Sequence, residues 1–258
     1  MQKNILISDF IPPIFFKFMR AASPSFRRKF QEIKTLPLFF DERFQRQLNS
    51  FSQFQEDVLI DLLLESKPVG FYADIGANDP AFNSNTNRFY QRGWNGINVE
   101  PGIDAFNRLR ECRKRDLNLN IGVGPKRSDM MFYSLKDGTL SSFSKINAEK
   151  MSRIHNSPIT PIRIEVWPLK EVFEKHLDGR MIDFMSVDVE GFDLCVLKSN
   201  DWNQFRPTLL IVEMNNEYEE IVDFLRNNNY LLIFNNLYNG IFIDLRTREN
   251  HLRKIIET

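Results

Sequence analysis

Acidic residues close four of the apolar runs in this chain: Asp74 in FYADIGANDP, Glu100 in GINVEP, Asp188 with Glu190 in FMSVDVEG, and Glu213 in TLLIVEM. A carboxylate at the tip of a buried strand loses hydration and needs a partner, and a bound polar ligand is one such partner. Asp188 or Glu190 could take a proton as a general base, and His155, in a polar stretch upstream, is a third candidate for that role. Asp188 and Glu213 could instead share Mg²⁺ or Mn²⁺, since hard cations prefer oxygen ligands. The alternatives are plainer: ion pairs with nearby Arg or Lys for Glu190 and Glu213, and capping of the next helix by Asp188. Thr139, Ser141 and Ser142 in TLSSF could hydrogen-bond a polar substrate or simply cap a turn.

The first two acids are the more specific pair. Gly76 lets the chain turn tightly after Asp74 and lets a ligand approach the main chain, and Ala77 is small for the same reason. Glu100 closes the next strand, from which a carboxylate can accept two hydrogen bonds from ribose hydroxyls. The G-x-G-x-x-G pattern that cradles a pyrophosphate is missing: the loop reads Gly76-Ala77-Asn78-Asp79-Pro80, where Asp79 would repel phosphate and Pro80 offers no amide donor. A ligand with adenosine, a cation and no phosphate fits better, and S-adenosylmethionine has that shape.

The elements that must position these groups follow from the periodicity. SQFQEDVLIDLLLES reads as a helix, with Ser52 and Gln55 as a capping box and Val58, Leu59, Leu62 and Leu63 on one face. Strands through Phe71–Asp74, GINVEP and LNLNIGVG alternate with helices NTNRFYQR, stopped by Gly93, and DAFNRLRECRK. The rhythm breaks from about 125 to 165, where a short strand near Met131–Leu135 and the loop KDGTLSSFSK read as an insertion, then resumes through IDFMSVDVEG and TLLIVEM. YLLIFNNLYNGIFIDL closes the pattern with two strands joined at a turn containing Asn239-Gly240. This alternation predicts a mostly parallel sheet with helices on both faces and an antiparallel last strand. It divides the chain into an N-terminal arm, residues 1–50, and one α/β domain, residues 51–258.

Composition narrows the field. The chain has 258 residues, with 34 basic and 34 acidic ones in balance, which argues against a nucleic-acid partner. The 24 phenylalanines suit a thick core or an aromatic wall to a substrate site. Cys112 and Cys195 are the only cysteines, and neither lies in a C-x-x-C pattern, so a reducing cytoplasm is the expected location. In the arm, Asp9 and Pro12-Pro13 interrupt the apolar run, against both a signal peptide and a membrane span. Phe10, Ile14, Phe15 and Phe18 with Lys17, Arg20, Arg27, Arg28 and Lys29 give an apolar face with basic company. Such a helix can dock on its own domain, on a second subunit in a homo-oligomer, or peripherally on a membrane surface.

The segments SQFQED, FYADIGANDP, NSNTNRFYQRGWNGINVEP, LNLNIGVG and IDFMSVDVEGFDLCVLKSNDWNQFRPTLLIVE together resemble FkbM-family S-adenosylmethionine-dependent methyltransferases, over roughly residues 50 to 245. The resemblance implies a class I methyltransferase, Rossmann-like sheet of seven strands. It implies methyl transfer to a hydroxyl of a sugar, either nucleotide-activated or within a capsule or surface polysaccharide. On it, Asp74, Gly76 and Asn78 would line the methionine part of the cofactor, Glu100 would hold the ribose and Pro101 would shape the turn after it. Asn120 and the main chain of Ile121 would meet adenine, and Asp188 would face the transferred methyl group. The family's N-terminal glycine is replaced here by Gln55, which leaves Gln53, Glu56 and Asp57 open between a cofactor contact and a capped helix start. Two other functions compete: a nucleotide-sugar oxidoreductase using NAD, and a non-catalytic binding module on the same fold.

Overall fold

The computed structural model describes residues 50–136, 138, 140–214, 217–236 and 238–246; the N-terminal arm, Thr139 and His251 lie outside the described residues. In chain order the elements begin with α1 (Glu56–Leu63), β1 (Phe71–Ile75), α2 (Asn87–Gln91), β2 (Asn95–Val99) and α3 (Ile103–Cys112). Next come β3 (Leu117–Leu119), β4 (Gly122–Val123), β5 (Ser128–Leu135), α4 (Lys145–His155), β6 (Ile159–Trp167), α5 (Leu169–His176) and β7 (Phe184–Val187). The described chain ends with α6 (Asp193–Lys198), β8 (Leu209–Glu213), α7 (Tyr218–Asn227), β9 (Tyr230–Asn235) and β10 (Asn239–Asp244).

The main sheet has seven strands in the order β3-β2-β1-β7-β8-β10-β9. Its pairs are parallel except where β10 runs antiparallel to both β8 and β9. The central strands are buried on both faces, so they read as apolar runs whose alternate residues enter different cores. Phe71, Ala73 and Ile75 join Met185, Val187, Leu210 and Val212 on the face covered by α5, α6 and α7. Tyr72, Phe184, Leu209 and Ile211 face the other way, toward Leu59 and Ile60 of α1 and Phe89 and Tyr90 of α2. From β1 the chain winds first toward β2 and β3 and later toward β7 and β8. The crevice beyond the carboxyl ends of β1, β2 and β7 is therefore the topological switch point of the sheet, where ligands bind in open α/β folds.

Four local expectations are corrected. LNLNIGVG is not one strand: Leu117–Leu119 pairs with β2 in the main sheet, whereas Gly122–Val123 pairs with β6 in a second sheet of order β4-β6-β5. The stretch read as an insertion with one short strand holds the eight-residue β5, the eleven-residue α4 and most of the nine-residue β6. α4 escaped notice because it has no apolar stripe: Ile146 and Ile154 are exposed and Ala148 is its one buried residue. The capping box is absent too. α1 starts after Gln55, whose φ of 68° is left-handed and whose side chain makes no cap. Ser52 instead exchanges hydrogen bonds with Asp57, its Oγ donating to Oδ1 at 2.9 Å and accepting from the Asp57 amide at 3.2 Å. Finally, Asn239 and Gly240 belong to β10 itself, the reversal lying before them.

Candidate active site

Asp74 stands one residue before the end of β1 on the face shared with Ser186, its register partner on β7. Its carboxylate accepts from Thr86 Oγ1 at 2.7 Å, and burial pushes its pKa up to about 6. Gly76 follows with φ +85°, and a Cβ there would lie 1.9 Å from the Asp188 carbonyl oxygen. Its lack of a side chain thus serves the close approach of two strand ends, a tighter constraint than ligand access. Glu100 is buried at the end of β2, and each of its oxygens accepts one backbone amide: Asn78 at 2.8 Å on Oε2 and Gly102 at 2.7 Å on Oε1. Burial outweighs those donors and raises its pKa to about 7. Each oxygen keeps a further lone pair for a ligand hydroxyl.

A buried network holds the loop between β1 and α2. The Arg113 guanidinium, at the end of α3, donates from Nε and Nη2 to the Pro80 carbonyl at 2.8 and 2.6 Å and from Nη2 to Ser84 Oγ at 3.0 Å. Beneath it Tyr72 Oη donates to Asp116 at 2.5 Å, with the Arg113 cation 3.8 Å from that carboxylate. Asp79, expected to repel phosphate, accepts the amides of Ala81 and Phe82 at 2.9 Å each. On the opposite side, Glu56 is buried and accepts from Asn236 and Asn239 at 2.9 and 2.8 Å on Oε1 and from the Phe54 amide at 2.8 Å on Oε2. Asp57 gathers Ser50 Oγ at 2.6 Å and the Phe51 amide at 2.8 Å. The QED stretch therefore organises the segment that brings Gln53 to the site.

Beyond β7 and β8 the acids cluster. Ligand oxygens of Asp188, Glu190 and Glu213 all lie within 4.8 Å of one another. Asp193, which starts α6, accepts the amides of Val189 and Gly191 at 3.1 Å each and so closes the loop after β7, and no side chain caps α6, the role offered as an alternative for Asp188. Burial first, then the neighbouring charges of Asp188, Glu190 and Asp193, pushes the Glu213 pKa up. Burial raises Asp188 as well, while a hydrogen bond from Glu213 opposes that rise. Burial and mutual repulsion thus act on Asp188 and Glu213 as a coupled pair and favour a proton shared between them.

A cleft of about 320 Å³ runs along this edge. Of the predicted residues it brings together Gln53, Asp74, Gly76, Asn78, Glu100, Pro101, Ser141, Asp188 and Glu190. Glu213 lines a neighbouring cavity that shares Glu190. Asn120 is not among the lining residues: its Nδ2 donates to the carbonyls of Glu100 and Pro101 at 2.9 and 3.0 Å and so braces the turn after β2. Ile121 packs against the core, and Gly122 and Val123 line the cleft in their place. His155 ends α4, exposed and away from both cavities, so it is no base for this site. Ser142 Oγ donates to the Glu190 carbonyl at 2.8 Å and does not line the cleft. The three tryptophans are buried, Trp167 beneath Arg127 and Lys175.

A family model of the methyltransferase FkbM domain matches residues 74–232, more than half of the chain. The chain belongs to the FkbM methyltransferase family. No curated protein sequence matches it. Two solved structures similar to it are the METTL16 MTase domain, at 8% identity, covering 90% of this chain and 92% of that one with a TM-score of 0.41, and a methyltransferase from Geobacter sulfurreducens, at 12% identity, 92% and 98% coverage and a TM-score of 0.38. Likenesses this remote add nothing to what the strand order states. In this FkbM methyltransferase the matched segment opens on Asp74 and takes in Glu100, Asp188, Glu190 and Glu213. An aromatic wall also belongs to the site: Phe132 and Phe143, centroids 5.0 Å apart, line the cleft beside Pro101. The abundance of phenylalanine hinted at such a wall, but nothing in the sequence singled out these two. The oxidoreductase alternative falls away with the family.

Proposed function

We propose that this FkbM methyltransferase uses S-adenosylmethionine to methylate a hydroxyl of a sugar, nucleotide-activated or within a polysaccharide. The observation that carries the cofactor reading is the pairing of buried Glu100 with a β1 loop that has no phosphate-binding glycines, at the switch point of the sheet. The groups present suit that cofactor. Glu100 has lone pairs for ribose hydroxyls, Phe132, Phe143 and Pro101 offer an apolar seat for adenine, and Asp74, Asn78 and Gln53 offer polar contacts to the amino-acid end. A cleft of about 320 Å³ is within the range of cofactor sites.

The cofactor supplies a methyl group on a sulfonium. A hydroxyl is a weak nucleophile at neutral pH, so the chain must align it and accept its proton. The cofactor would supply the methyl group and keep the carbon–sulfur bonding pair, and Asp188 or Glu190 would accept the proton lost by the acceptor hydroxyl. The three carboxylates could also hold Mg²⁺ or Mn²⁺, which would polarise an acceptor hydroxyl; binding it would displace the proton that burial favours within the cluster. Calorimetric titration with S-adenosylhomocysteine tests the cofactor reading: saturable binding is expected, and no binding would leave the non-catalytic module as the better account. A mass-shift screen of nucleotide sugars with labelled cofactor identifies the acceptor. With that acceptor, EDTA should stop turnover and Mg²⁺ or Mn²⁺ should restore it if the cluster binds a metal, whereas full turnover in chelator assigns proton removal to a carboxylate alone.

A further inference from the structure

A second cavity, of about 230 Å³, opens behind the carboxylate cluster and shares Leu140 and Glu190 with the cofactor cleft. Its far wall is one face of α4, with Asn147, Lys150 and Met151 at the i, i+3, i+4 spacing that places side chains together. α4 is pinned to the strand-end loop. The Glu190 carbonyl accepts Ser142 Oγ at 2.8 Å and Asn147 Nδ2 at 3.0 Å, and Glu190 itself is held at φ 56°, in the left-handed region. A Cβ at Gly191 would lie 1.9 Å from Asn147 Nδ2, so the contact requires glycine there. The cavity is thus bounded by a fixed helix on one side and by Glu190 and Glu213 on the other.

Lys150 is the one cation among the residues that line it. The neighbouring Lys145 is paired with Glu149 at 3.8 Å, and among the described residues no ion pair engages Lys150. A ligand in this cavity would meet the carboxyls of Glu190 and Glu213 on one wall and the solvent-exposed Lys150 on the other. Hydroxyls on a ligand would meet the acids, and an anionic group would meet the lysine.

We propose that this second cavity seats the acceptor and that Lys150 selects an acceptor unit carrying an anionic group, the carboxylate of a uronic acid or a phosphate, at its far end from the methylated hydroxyl. This rests on the reading of the first cleft as the cofactor site. The test is binding to the protein saturated with S-adenosylhomocysteine, using matched sugars: D-glucose with D-glucuronate, D-galactose with D-galacturonate, and D-mannose with mannose 1-phosphate. At least one acidic member should bind about tenfold tighter than its neutral partner, and Lys150→Met should abolish that preference while leaving S-adenosylhomocysteine affinity unchanged. Preference for a hexuronate assigns a carboxylate, and preference for the phosphate assigns a phosphoryl group. Equal binding within every pair, no binding of any sugar, or a preference that survives Lys150→Met overturns the proposal. Failure of S-adenosylhomocysteine itself to bind would instead remove the cofactor reading on which it stands.

Discussion

Glu100 joins two tasks in one side chain. Its oxygens staple the loop after β1 to the turn after β2 through the amides of Asn78 and Gly102, and their remaining lone pairs face the cleft it lines. Glu100→Ala should weaken S-adenosylhomocysteine binding by about 1–3 kcal/mol, the worth of a lost charge-assisted contact, measured by calorimetry. Unchanged affinity would take Glu100 out of the site. Asp74 and Glu100 were legible in the sequence because an acid at the end of an apolar run has few structural reasons to be there; Gly76 was legible as a tight turn, although the packing of β1 against β7 is what demands it. Asn120 and His155 were misleading because a polar side chain near a strand end or in a loop can turn to any nearby partner. Asn120 turned to two backbone carbonyls, and nothing in its neighbours announces that choice. Arg113 was invisible for the opposite reason: a charged residue in a helical pattern reads as solvated, yet it is buried and engaged, while Glu56, left open between a cofactor contact and a helix start, is buried on Asn236, Asn239 and the Phe54 amide.

Between elements, the contact that organises the site is the meeting of β1 and β7 at Gly76 and Asp188. Adding a methyl group at Gly76 places a carbon 1.9 Å from the Asp188 carbonyl and imposes a side chain at φ +85°. Gly76→Ala should therefore cost about 2 kcal/mol or more, read by urea unfolding, and should also weaken cofactor binding, since Asp188 must move. A loss below about 0.5 kcal/mol, within the range of a neutral surface change, would contradict that packing. The alternation of strands and helices in the main sheet was readable because buried parallel strands are continuous apolar runs. The second sheet was not. Its long strands β5 and β6 are half-exposed, α4 buries almost nothing, and β3 and β4 are separated by only two residues that carry the chain from one sheet to another.

Over the whole molecule, the concentration of carboxylates on one edge sets a pH dependence. Burial raises Asp74 to about 6 and Glu100 to about 7, and raises Asp188, Asp193 and Glu213 as well. Between the ordinary carboxylate range and neutrality the folded chain then binds more protons than the unfolded one, so stability falls as pH rises through that window. Without ligand, the midpoint of thermal unfolding should drop by roughly 5 °C or more between pH 5 and pH 8. Saturating S-adenosylmethionine, whose positive charges favour the ionised acids, should flatten the profile. A pH-independent midpoint would mean that these groups are better hydrated than their burial implies. No helix among the described residues is long and apolar enough to cross a membrane. The placement of β10 between β8 and β9 bears on how the molecule is made. During synthesis β8 has an open edge, and Glu56 lacks its amide partners Asn236 and Asn239, until β9 and β10 leave the ribosome. α1 and β10 are thereby clasped together through Glu56 and Asn239, so the site stays unfinished until β10 has been made and paired.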